Sequence, residues 1–62
     1  MKRRVLDYSV IIRPDHRTGT TERCFNAYCQ TIDVYSYGDT VEEALRNIRS
    51  AIEFKLSILK TH

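Results

Sequence analysis

Apolar residues change their spacing along this chain, from every second position in the first part to every third or fourth in the last, and the change divides a sheet-forming region from a helix-forming one. Residues 5–13 are rich in β-branched and aromatic side chains, with Leu6, Tyr8, Val10 and Ile12 on one face and Asp7, Ser9 and Arg13 on the other, which predicts a first strand. Residues 14–21 collect Pro14, Asp15, Gly19 and three threonines, the chemistry of a reversing loop, with Gly19 free to take positive φ. Alternation resumes at 22–30, where Phe25, Ala27 and Cys29 are expected to face inward and Cys24, Asn26, Tyr28 and Gln30 outward. Asp33 breaks that run, and 34–37 is a short third strand.

The helical part begins with its own punctuation. Gly38 and Asp39 supply a turn, and Thr40 followed three residues later by Glu43 is a capping box. Asp39, Glu42 and Glu43 sit where the helix dipole is positive. Val41, Ala44, Leu45, Ile48, Ala51, Ile52, Leu56 and Leu59 then form one stripe of a helix over 40–60, expected to dock through Leu45, Ile48, Ile52 and Leu56. Glu42, Arg46, Arg49, Ser50, Glu53, Ser57 and Lys60 make the solvated side. Phe54 and Ile58 fall on a flank that belongs to neither.

Strand, strand, strand, helix is an α+β order, predicting a two-layer domain over 1–62 with a three-stranded antiparallel sheet and one long helix across one face. The second face of such a sheet stays open, and Val5, Ile11, Cys24, Tyr28 and one or both of Tyr35 and Tyr37 are expected to line it. At 62 residues the chain is near the lower size limit for independent folding, so self-association is expected. A net charge of +2 excludes no class of partner. No apolar run reaches the roughly 20 residues of a membrane span, and no apolar leader follows the charged start, so a cytoplasmic protein without membrane partners is expected. Cys24 and Cys29 would lie about 17 Å apart on one extended strand and on opposite faces, so they cannot bridge each other. With no His at ligand spacing beside them, neither a metal nor a cofactor is expected.

The run Phe25-Asn26-Ala27-Tyr28-Cys29, followed by Tyr37-Gly38-Asp39-Thr40-Val41-Glu42-Glu43-Ala44-Leu45-Arg46-Asn47-Ile48 and the pair Ala51-Ile52, resembles the HicB-like antitoxin domain over most of the chain. Gln30 stands where that family usually has Pro and Asp33 where it usually has Gly, so the loop joining the second and third strands is expected to run differently. The larger members add a C-terminal DNA-binding domain, for which Thr61-His62 leaves no room, so operator binding is not implied. The resemblance implies a truncated ribonuclease H-like fold that binds and neutralises a HicA-type toxin, a small mRNA-cleaving protein, by protein–protein contact.

Two other function classes can be weighed against that one. A nuclease needs several carboxylates converging on metal ions, but of Asp7, Asp15, Asp33, Asp39, Glu42 and Glu43 the first faces outward on the first strand, Asp15 and Asp33 sit in separate turns, and Asp39 and Glu42 are committed to the helix start, while His16 and His62 stand alone. No catalytic residue is therefore assigned. The alternative is a small nucleic-acid-binding regulator using Arg3, Arg4, Arg13, Arg17 and Arg23 with Tyr8, Tyr28, Tyr35 or Tyr37 as stacking surfaces; a basic arm at Met1–Arg4 is otherwise read as a solvated tail. A partner or homodimer interface is expected at Val5, Ile11, Tyr28, Tyr35, Tyr37, Phe54 and Ile58. The edge of the first strand, expected to be open, adds to the case for a homodimer.

Overall fold

The computed structural model describes residues 1–16, 19 and 22–60, so Arg17, most of the loop around Gly19, and the tail at Thr61-His62 lie outside the described residues. Four strands, β1 (Lys2–Val5), β2 (Tyr8–His16), β3 (Arg23–Cys29) and β4 (Val34–Gly38), form an antiparallel meander in the order β1-β2-β3-β4, and helix α1 (Val41–Lys60) follows. The α+β class and the single helix agree with the sequence pattern. The expected three strands are corrected to four, and the basic arm expected as a solvated tail is the added strand.

The reason lies at Leu6 and Asp7, whose φ values of 50° and 68° make a two-residue reversal between the paired residues Val5 and Tyr8. Positive φ at both loop positions is the turn whose twist suits a hairpin, and its usual signature is Asn-Gly. Leu-Asp carries none of that signature, so alternation appears to the eye to run straight through 5–13 while the backbone folds back. The edge expected to be open beside the first strand is thereby filled by this chain's own β1, and Ile12 N–H donates to Met1 O at 2.7 Å in continuation of the ladder. Pro14 sits two residues further along β2, past the end of β1, so the N–H it lacks would face the same, uncovered side.

The inner face is arranged by size. Ala27, Ser36 and Gly38 are small where β3 and β4 run under the helix, and this explains why the inward positions of the second predicted strand are less bulky than a strand core usually is. Val10 and Ile12 from β2, Cys29 from β3 and Val34 from β4 surround that strip, and Ala44, Ile48 and Ile52 of α1 close the core. Leu45 and Leu56 pack at its margin, only partly buried. Val5 and Tyr8 join the same side, so Val5, expected on the open face, belongs instead to the core.

The strand-to-helix junction fixes where the helix lies. Glu43 N–H donates to Thr40 Oγ1 at 3.0 Å and Ala44 N–H to Thr40 O at 2.9 Å, which is the forward half of the expected box. A Cβ on Gly38 would come within 2.8 Å of Ala44 Cα and fall on the backbone of Glu43 and Ala44, so only glycine lets β4 pass this close to the first turn. Asn47 then ties the helix to the edge strand, its Nδ2 donating to Tyr37 O at 2.6 Å.

Candidate interaction surfaces

The register lays the open face out in rows across the strands. One row runs Lys2, Ile11, Tyr28, Tyr35; the next runs Arg13, Asn26, Tyr37; Arg4 with Ser9 and Asp15 with Cys24 lie at the two ends. Each of the two central rows is thus basic on the β1–β2 side and aromatic on β4. Tyr28 and Tyr35 stack with ring centroids 4.4 Å apart and planes 24° from parallel. Tyr35 and Tyr37 are 62% and 63% exposed, and Ile11, Arg13, Asn26 and the three tyrosines line a shallow hollow of about 520 Å³.

Polar contacts hold the floor of this face. The Tyr28 hydroxyl donates to Asp33 Oδ1 at 3.4 Å, and burial, with Tyr35 alongside, pushes its phenol pKa up, so the ring is neutral at physiological pH. Asp33 has φ of 55°, so an aspartate here fills the left-handed position that a glycine takes freely. Asn26 Nδ2 donates to Asp15 Oδ2 at 2.8 Å and His16 N–H to Asp15 Oδ1 at 2.8 Å. These bonds, the backbone one first, hold the Asp15 carboxyl below the usual range. A fixed anion therefore marks the end of the face furthest from Arg4. Asn26 Oδ1 is buried and has no hydrogen-bond partner among the described residues.

The second surface is the far end of α1. On an ideal helix at about 100° per residue Leu59 lies within about 20° of Ile48, in line with the buried stripe. Ile48 is fully buried, yet Leu59 is 55% exposed. The stripe is intact; the sheet beneath it has run out. A 20-residue helix spans about 30 Å, while β4 with five residues covers about 17 Å. Phe54 at 69% and Ile58 at 41% exposure flank the same overhang.

Of the seven expected interface residues, Ile11, Tyr28, Tyr35 and Tyr37 share the open sheet face, Phe54 and Ile58 lie on the helix in the other layer, and Val5 is turned inward. The expected interface residues thus fall on two separate surfaces. Cys24 is on the outer side as expected, but it is buried. Leu59, on the apolar stripe but not among the four residues expected to dock, is a surface residue that periodicity alone does not single out; the excess of helix length over strand length is the signal for it. Among the proposed nucleic-acid contacts, Tyr8 packs on the core and Arg3 and Arg23 lie at inward-parity positions, leaving Arg4 and Arg13, joined by Lys2. Among the described residues no group of three or more His, Cys, Asp or Glu side chains is placed to hold a metal ion, and no helix is long and apolar enough to cross a membrane. No family model, curated protein or solved structure matches the chain.

Proposed function

We propose that the chain is a HicB-like antitoxin module that binds and neutralises a HicA-type toxin by protein–protein contact and catalyses nothing itself. The observation that carries the reading is the overhang of α1, where Leu59 continues a docking stripe with no sheet beneath it and Phe54 and Ile58 widen the apolar surface. Apolar surface of this kind on so small a chain is what a protein partner covers. The resemblance names the partner, and it supplies the finer fold description as well: a truncated ribonuclease H-like meander and helix. In that frame β1 occupies the edge that a strand after the helix would otherwise take.

The test is calorimetric titration of the purified chain with a HicA-type toxin encoded beside it, carrying a substituted catalytic His so that it can be expressed. Phe54→Glu and Leu59→Glu should each weaken the complex about 30-fold, the scale of an interface hot spot, without lowering the melting temperature. Absence of a complex with the unaltered chain would refute the reading. A concentration-dependent homodimer dissolved by the same substitutions, with no toxin binding, would assign the overhang to a second copy. Cleavage of RNA or DNA by the purified chain with magnesium or manganese, abolished by Asp7→Asn or Asp39→Asn, would overturn the non-catalytic part.

A further inference from the structure

The open sheet face is unlike the helix overhang in its chemistry, since it combines cations with exposed rings rather than aliphatic side chains alone. Its rows are ordered: Lys2 leads across to Tyr35 and Arg13 across to Tyr37, so that both basic groups lie on the same side of both rings. Adjacent strands are about 4.8 Å apart, which separates Arg13 from Tyr37 by about 10 Å and Lys2 from Tyr35 by about 14 Å at the backbone. Arg13 lines the hollow with the tyrosines, and Lys and Arg side chains are long enough to close much of those spans when extended toward a bound strand. Tyr35 and Tyr37 are two residues apart on one side of β4, hence about 6.6 Å apart along the strand. That is close to twice the 3.4 Å rise of stacked bases, room for one planar ring between them. The stack on Tyr28 restrains the Tyr35 ring before anything binds.

We propose that this face is a platform for single-stranded nucleic acid, with bases stacking on Tyr35 and Tyr37 while Lys2, Arg4 and Arg13 take the phosphates. Charge complementarity selects this occupant over a basic protein, because the three cations outnumber the two anions of the face, Asp15, held at the opposite end by Asn26 and His16, and Asp33, which accepts from the Tyr28 hydroxyl. The strand therefore crosses the face on the β1 side and avoids Asp15. A duplex does not fit the chemistry, since its base faces are already stacked and unavailable to the rings. The site uses a different layer from the helix overhang, so it stands independently of the antitoxin reading.

The experiment is fluorescence anisotropy of the full chain with labelled 12-nucleotide U and dT oligomers and a 12-base-pair duplex, between 50 and 300 mM salt. Binding of the single strands in preference to the duplex is expected, with the logarithm of affinity falling against that of salt with a slope of about 2 for three phosphates at about 0.7 each. The U and dT arms separate an RNA from a DNA ligand. Tyr35→Ala and Tyr37→Ala should each weaken binding roughly 5- to 100-fold with the salt slope unchanged, and Tyr35→Phe should retain it. Arg13→Gln should reduce the slope by about 0.7. Both tyrosines are exposed, so unchanged circular-dichroism melts identify these losses as binding effects. No single-strand binding at 50 mM salt, equal binding of the duplex, or indifference to both alanine variants would overturn the proposal. So would loss of toxin binding in Tyr35→Ala, which would assign the face to a protein. Phe54→Glu should leave oligonucleotide binding intact, which keeps failure of this site apart from failure of the other.

Discussion

The two faces of the sheet come from the same four strands and alternate residue by residue, yet they solve opposite problems. The inner face is small in the middle and aliphatic around it, with Ala27, Ser36 and Gly38 letting α1 approach and Val10, Ile12, Cys29 and Val34 filling the sides. Among the described residues no polar or charged side chain is buried. The outer face keeps its bulk in tyrosines and its charge in Lys2, Arg4 and Arg13, with a hydrogen-bonded floor. Three tyrosines thus stand where no layer covers them, while the strip directly under α1 is kept small. A chain this short cannot have gained much stability from that allocation, so the outer rings are read as serving contact rather than folding.

Stability is the sharpest way to break that comparison. Ile48→Ala removes a fully buried side chain and should cost about 2–5 kcal/mol, whereas Tyr35→Ala and the helix control Ser50→Ala should stay within about 0.5 kcal/mol. Thermal unfolding of the three side by side decides it, and equal midpoints for Ile48→Ala and Tyr35→Ala would erase the distinction between the faces. A step down in size is Gly38→Ala. The added methyl has to displace the first turn of α1, which predicts a loss of about 1–3 kcal/mol by denaturant titration.

Much of this was written in the sequence, and the parts that were not share a cause. The period-two and period-3.6 patterns located β3, β4 and α1 to within a residue or so, because apolar periodicity reports which side is covered. The inward set Val10, Ile12, Ala27, Cys29, Ala44, Ile48 and Ile52 was legible for the same reason. β1 was not, because Lys2, Arg3 and Arg4 have no apolar alternation and Leu6-Asp7 takes a turn its residue types do not advertise. The tyrosine face was legible as a set of residues, but its rows required the register, which a strand pattern alone leaves open. Leu59 lies on the stripe and yet is exposed, because periodicity says which way a side chain points and not whether anything is there.

The hairpin offers a sharpening in the other direction, since β1 carries Lys2 and Arg4 of the outer face and is joined to the sheet through β2. A left-handed conformation costs an ordinary residue roughly 1–2 kcal/mol, so Leu6→Asn with Asp7→Gly should raise stability by about 1 kcal/mol. The denaturant midpoint should rise with an unchanged slope. Under the nucleic-acid reading the same double variant should bind single strands at least as tightly, because it firms the strand that carries two of the three phosphate contacts.

The smallest effect concerns acid, and it separates the faces by which of them titrates. The inner face buries no carboxylate, imidazole or amine among the described residues, so it adds nothing to the dependence on acid. On the outer face the carboxyl of Asp15 has its pKa lowered by the His16 N–H and the Asn26 amide. A depressed folded pKa means the native state holds the proton less tightly than the unfolded chain. The stabilisation is accordingly complete above the unfolded value, near the ordinary 3.8, and is lost as pH falls through the lower folded one. Asp15→Asn should therefore lower stability slightly near neutrality, where the stabilisation is complete, and by less as pH falls below about 4, which flattens the acid fall in melting temperature. Removing that anion should also let single strands bind somewhat more tightly at pH 7, since the charge that keeps phosphates away from this end is gone. An Asp15→Asn chain with an unaltered acid limb would show that the Asn26 and His16 bonds do not survive in solution, and the fixed polarity of the outer face would fall with them.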